Sequence, residues 1–268
     1  MTNDSKLKIY CVTNKRIKFL ENSKCILAGV GKENFPSTYL QPTTKDNINF
    51  KELYYSELTF HYWFWKNILP QIKSGWIGFC QKRRYWIKNT SKNEQINSEN
   101  INSHLLDEPE ENWKSYESII TEQVDLTNVK ISKIIKRGWK NIISDPSIFF
   151  NKEKRTIKLH FDMHHGYGVL EKAINFMKET DRSDFKNFIN KETQFNPHIM
   201  FISKPEIADK WFSDLFEWLF KCEEAFGFKN LKGYETGRLY AYLAERYLSF
   251  WFKKYTKYKI NPWRFIEV

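Results

Sequence analysis

The run Leu58-Thr59-Phe60-His61-Tyr62-Trp63-Phe64-Trp65 is almost wholly apolar and aromatic, and it constrains the fold more than any other stretch. A helix of that composition is buried nearly all round, which requires a layered structure with other elements packed about it. Asn49 followed by Glu52 reads as a variant capping box ahead of the run. Polar groups on such a helix need partners. Glu57 and His61 lie four residues apart on one helical face, as do Trp63 and Asn67, and a bound ligand is one partner that would serve. Asp46 and Asn47 upstream and Lys66 near the helix end join them as candidate ligand-binding residues.

The strand Gly75-Trp76-Ile77-Gly78-Phe79-Cys80 follows and empties into Gln81-Lys82-Arg83-Arg84. Ligands of open α/β sheets bind beyond the carboxyl ends of strands, so three cations at that point favour a phosphate or diphosphate over a solvated turn. An earlier strand over 7–12 ends in the polar turn Thr13-Asn14-Lys15, a second position suited to a nucleotide. A strand, a helix and a further strand in that order are the makings of a nucleotide-binding half.

The order Asp46-Asn47-Ile48, Glu57-Leu58-Thr59, Tyr62-Trp63, Trp65-Lys66-Asn67, Gly78-Phe79-Cys80 and Arg83-Arg84-Tyr85 resembles a bacterial family known as a domain of unknown function. Its members occur as capsular and exopolysaccharide glycosyltransferases. Further matches are 8–15, Asn196 with Met200-Phe201-Ile202, and Arg238 with Ala244-Glu245-Arg246; residues 90–160 match poorly. The family usually reads His-Tyr-Arg-Arg-Tyr where this chain has Gln81-Lys82-Arg83-Arg84-Tyr85. The resemblance implies an α/β fold of the GT-A type, with a central mixed sheet flanked by helices and closed by carboxyl-terminal helices. It also implies a UDP-sugar donor, with UDP-galactofuranose as one candidate, and a glycan or lipid-linked oligosaccharide acceptor. In most such enzymes an Asp-x-Asp after the equivalent strand holds a divalent metal. The basic turn stands there instead, so no metal cofactor is expected.

Composition sets wider bounds. The 268 residues carry a net charge of +11, with 43 Lys and Arg against 32 Asp and Glu, which favours anionic partners: a nucleotide, a nucleic acid, an acidic glycan or a membrane surface. Cys11, Cys25, Cys80 and Cys222 have no metal-binding or redox spacing, and Cys11 and Cys80 fall in expected buried strands. Residues 1–8 are polar, with no apolar core of signal-peptide length, and no apolar run reaches the roughly 18 residues of a spanning helix. The expected setting is the cytoplasm, with peripheral attachment to the inner membrane face as an option.

One glycosyltransferase domain over 1–268 is expected: a nucleotide-sugar-binding half over 6–88, a polar variable excursion over 89–128, and an acceptor half with closing helices over 129–268. The polar stretch 87–113 reads as a mobile lid. Thr156-Ile157-Lys158-Leu159-His160-Phe161-Asp162 alternates as a strand; helices follow over 169–178, 205–226 and 235–255, with a short strand at 199–202. Arg238 (grouped with the donor-binding residues), Tyr242, Glu245 and Ser249 share a face of the last helix, so Arg238 and Glu245 form a candidate buried pair.

Three carboxylates compete as the base for a single, inverting displacement. Asp162 stands at an expected strand end facing an acceptor hydroxyl, or merely caps a turn. Glu235 opens the last helix, as a catalytic acid or a first-turn acid favoured by the helix dipole. Glu245, like Glu57, either holds structure or orients donor groups. His160, Asp162, His164 and His165 suggest a metal, but alternation sends His160 and Asp162 to one side of the strand while the adjacent His164 and His165 in the turn diverge. The basic aromatic tail over 247–265 has three readings: a packed core helix, a membrane interface, or single-stranded nucleic acid. No nucleic-acid-binding signature accompanies it, which ranks that reading last. The alternative function from another class is a non-catalytic basic protein binding nucleic acid or acidic polymer.

Overall fold

The computed structural model describes residues 6–268; residues 1–5, where the polar amino-terminal reading begins, lie outside it. Its strands are β1 (Leu7–Thr13), β2 (Ile26–Gly29), β3 (Trp76–Gln81), β4 (Arg84–Trp86), β5 (Ser118–Thr121), β6 (Val124–Asp125), β7 (Gln194–Phe195), β8 (Phe201–Ser203), β9 (Tyr258–Asn261) and β10 (Trp263–Phe265). The α-helices are α1 (Glu52–Tyr55), α2 (Leu58–Asn67), α3 (Ile101–His104), α4 (Ile131–Arg137), α5 (Trp139–Ser144), α6 (Ile157–His165), α7 (Val169–Ile174), α8 (Glu179–Lys191), α9 (Pro205–Phe226), α10 (Gly233–Gly237) and α11 (Leu239–Tyr255). The chain forms two compact units. One comprises residues up to Glu122, 198–214 and 251–268; the other comprises 123–197 and 215–250.

The first unit is built on one mixed sheet flanked by helices, as expected. Its strands run β2-β1-β3-β8-β5-β9, with the β4–β10 ribbon attached at the end of β3. β1 pairs parallel with β2 and with β3, whereas β8 is antiparallel to both β3 and β5. Gly78 is what lets three strands close up: a Cβ there would stand 2.9 Å from Ile202 and 3.0 Å from Ile9. Cys11 and Cys80 are register partners and buried free thiols. On this sheet lies α2, with Phe60 and Phe64 against Tyr10, and His61 and Phe64 against Phe79.

Several sequence expectations need correction. The helix start does not use a capping box. Asn49 N–H donates to Asn47 Oδ1 at 3.2 Å, and Ser56 at φ 51° separates α1 from α2. The stretch 87–113 is part of the core, since Ile87, Ile101, Leu105, Leu106 and Trp113 are all buried. Its few apolar residues lack a period, so their burial was invisible until the fold brought them together. Nor do the contiguous segments of the sequence reading match the units. β5, placed in the excursion, is a sheet strand, and β8, β9 and β10 return to the first unit to complete its sheet.

In the second unit, residues 157–165 form a helix, not a strand. Thr156 caps α6, its Oγ1 accepting from Leu159 N–H at 3.4 Å. The alternation was real, but α6 is buried on two sides, and over nine residues that mimics a period of two. The last helix breaks at Arg238 between α10 and α11, and the 169–178 helix ends at Ile174. Tyr247, Phe250, Trp251 and Phe252 are buried, so the packed-helix reading of the tail holds. Among the described residues no helix is long and apolar enough to cross a membrane.

Candidate functional site

The parallel strands β2, β1 and β3 bring their carboxyl ends to one edge of the first unit's sheet. After β1, Thr13 closes its own turn: Oγ1 donates to Lys15 O at 2.5 Å and accepts from Lys15 N–H at 3.1 Å. After β3, Lys82 N–H donates to Val12 O at 2.9 Å, and its ammonium donates to Asn14 Oδ1 at 2.6 Å. Two turns that the sequence offered separately, Thr13-Asn14-Lys15 and Lys82-Arg83, are thus one structure.

The reading of the sequence missed a third loop at this edge. After β2, Val30 N–H donates to Thr13 O at 2.9 Å, and Gly31 takes φ +85° beside the Glu52 carboxylate, 3.3 Å from where a Cβ would sit. The available signal was Gly29-Val30-Gly31 directly after a short apolar run.

The cations of the basic turn are held differently. Arg83 adopts φ +74° in a two-residue turn between the paired Gln81 and Arg84, its N–H donating to the Tyr85 hydroxyl at 3.1 Å. Its guanidinium lies 3.3 Å from Glu267, and that of Arg84 lies over the Phe265 ring. In both arginines Nε is buried and has no hydrogen-bond partner. A buried guanidinium N–H without an acceptor is costly, and an anion is the acceptor that would relieve it.

The residues around α2 form a different group. Tyr62 donates to Asp46 at 3.1 Å, while Asn67 Nδ2 donates to Asp46 O and Trp63 O, both at 2.8 Å. Asn47 Nδ2 donates to Lys45 O at 2.8 Å, and the Lys66 ammonium sits 3.4 Å from the Trp65 ring centre. Together these fasten the 44–49 loop to the last turns of α2. His61 is a core histidine among Phe79, Phe201 and Phe212; burial pushes its pKa down to about 3, and its Nδ1 is unpaired. Glu57 precedes α2, its carbonyl accepting from His61 N–H at 3.2 Å.

The second unit holds its own polar cluster. Because 157–165 is helical, His160 and His164 share one face, their rings tilted at 40° with centres 4.8 Å apart. Arg246, 1% exposed, donates to His160 Nδ1 at 3.1 Å and pairs with Glu245. Arg137 donates to His164 Nδ1 at 2.8 Å and to Glu235 at 2.6 Å, while His165 Nδ1 donates to Glu235 O at 2.8 Å and its ring stacks on Tyr242. Desolvation, then the Arg246 charge, holds His160 at a pKa of about 2 and His165 at about 3. Both are therefore neutral at pH 7. The Arg137 hydrogen bond keeps Glu235 below the usual carboxylate range. Among the described residues no group of three or more His, Cys, Asp or Glu is arranged to hold a metal ion.

Asp162 is not in that cluster. Its buried carboxylate accepts from Gly168 N–H at 3.0 Å and from Lys158 at 3.2 Å, securing the turn between α6 and α7. Arg238 lies over the Tyr234 ring, and Glu245 pairs with Arg246.

A family model described as a domain of unknown function (DUF4422) matches residues 8–257. The chain belongs to that family. The match takes in both units, and with them the carboxyl-edge loops and the histidine cluster. This member is also similar to the apo structure of the WbbM bifunctional glycosyltransferase, with a TM-score of 0.70 and 18% identity over 98% of its length. It spans 45% of that longer chain, and at this identity the likeness is one of fold. No curated protein matches it.

Proposed function

We propose that this chain is a glycosyltransferase that binds the diphosphate of a nucleotide-sugar at the carboxyl edge of β1, β2 and β3. The observation that carries the reading is that edge itself: three loops after parallel strands, Lys82 joined to Asn14, and two arginines whose buried Nε atoms have no acceptor. A departing nucleoside diphosphate needs positive compensation, and fixed guanidinium and ammonium groups supply it by the same electrostatics as a metal. The fold shared with a glycosyltransferase supports the reaction class. In this reading the donor is a UDP-sugar, UDP-galactofuranose among the candidates. The acceptor is a glycan or lipid-linked oligosaccharide of capsule, exopolysaccharide or O-antigen synthesis at the cytoplasmic membrane face. No divalent metal takes part.

Of the three candidate carboxylates, Glu235 is ionised and half-exposed in a salt bridge with Arg137, whereas Asp162 secures a turn and Glu245 pairs with Arg246. Transfer in this reading is one displacement: the acceptor hydroxyl gives its proton to a carboxylate base and attacks the anomeric carbon as the sugar–phosphate bond breaks, which inverts the anomeric centre.

Calorimetry with UDP tests the donor site. Lys82→Ala and Arg84→Ala each weaken binding by about 1.5–3 kcal/mol, the range for hydrogen bonds to charged groups, with the fold intact by circular dichroism. Unchanged affinity in both variants sinks the reading, and donor turnover abolished by EDTA and restored by manganese sinks its metal-free form.

A further inference from the structure

The second unit carries an apolar stripe that its core does not use. Ile131, Ile135, Trp139 and Ile143 follow one another at intervals of four along α4 and α5, and all are exposed, Ile143 at 72%. The opposite side of the same helices is already satisfied: Ile134 and Ile142 pack with Ile148, Leu159 and Met163. Gly138, at the joint between the two helices, is pressed on Met163, where a Cβ would stand 3.1 Å from Cγ. The stripe therefore lies on the face turned from this core. Phe150, 91% exposed, follows in the next turn of chain.

The surroundings of the stripe are cationic. Between Lys130 and Arg155 there are eight Lys and Arg against two acidic residues, and Lys130, Lys133, Lys136, Lys140, Lys152 and Lys154 are all exposed. The Lys140 ammonium lies 5.6 Å from the centres of both the Trp139 and the Tyr167 rings, which sets a cation directly beside aromatic surface.

We propose that this stripe is a membrane-docking surface, seating α4, α5 and Phe150 in the interface of an anionic phospholipid bilayer. Apolar and aromatic side chains with lysines along their border match that interface: the former enter the acyl boundary and the latter meet anionic headgroups. Charge decides against a second copy of the chain, since a two-fold contact through this face sets like charges against each other. The surface is separate from the basic aromatic tail over 247–265, whose helical part is buried. The inference holds whether or not the chain transfers sugars.

Flotation of the full chain with vesicles tests it. Vesicles containing one third phosphatidylglycerol should carry the protein at low salt, at least about tenfold better than pure phosphatidylcholine. Lys133→Gln, Lys136→Gln and Lys140→Gln together should abolish that preference. Ile135→Ser, Trp139→Ser, Ile143→Ser and Phe150→Ser combined should abolish flotation. Should the combined variant fail to fold, Phe150→Ser alone, at the most exposed position, should still lower the floating fraction several-fold. The proposal is overturned if the wild type does not float on anionic vesicles, or if the apolar variants float like wild type. It is equally overturned if sedimentation shows a wild-type dimer that the combined variant dissolves, which would assign the stripe to self-association.

Discussion

The two units hold their polar groups by different means. At the carboxyl edge of the first, backbone contacts set the loops: Lys82 N–H on Val12 O, Val30 N–H on Thr13 O, and Arg83 held left-handed in a two-residue turn. In the second, side chains place one another across long stretches of sequence, Arg137 to Glu235 over 98 residues and Arg246 to His160 over 86. A site made of strand ends is written in consecutive residues. A site made of helix faces is written only in the fold.

That contrast can be broken experimentally. The largest expected effect is on the sheet that carries the edge. Phe79 is fully buried against Tyr10, His61, Phe64, Phe201 and Phe212, and Phe79→Ala should cost about 3–5 kcal/mol in denaturant unfolding. A loss below about 1 kcal/mol would mean that the edge does not depend on this packing.

Acid should strike the second unit harder. His160 and His165 titrate near 2 and 3 in the folded chain, far below the unfolded value, so their neutral forms favour folding at pH 7. As pH falls below about 6.5 the unfolded chain takes up protons that the folded chain refuses; by pH 5 each histidine has withdrawn about 2 kcal/mol. In the first unit His61 is held down in the same way, to about 3. Hydrogen exchange at pH 7 and pH 5 should therefore show protection lost first in α6. Earlier loss in β1 and β3 would reverse the comparison.

The smallest effect sharpens it. Arg83 holds a left-handed conformation without being glycine, so Arg83→Gly should raise stability by about 1 kcal/mol while removing one of the proposed diphosphate cations. A variant less stable than wild type would show that Glu267 and the β10 contacts outweigh the backbone strain.

The sequence alone determined the pieces governed by local chemistry. The apolar run at 58–65 made α2 a buried helix, Gly78 stood where only a bare backbone fits between Ile9 and Ile202, and the turns after β1 and β3 were polar and basic as read. The bond between Asn14 and Lys82 was not legible, but the strand ends that produce it were. Tertiary structure decided what local pattern leaves degenerate. The alternation at 156–162 fits a strand or a doubly buried helix, and only packing chose the helix that brings His160 beside His164 and turns Asp162 to Gly168. It likewise paired Glu245 with its neighbour Arg246, and drew the scattered apolar residues of 87–113 into the core. Local sequence fixes which backbone conformations and turns are available; which side chains meet depends on burial shared among distant segments, and no one segment carries that information.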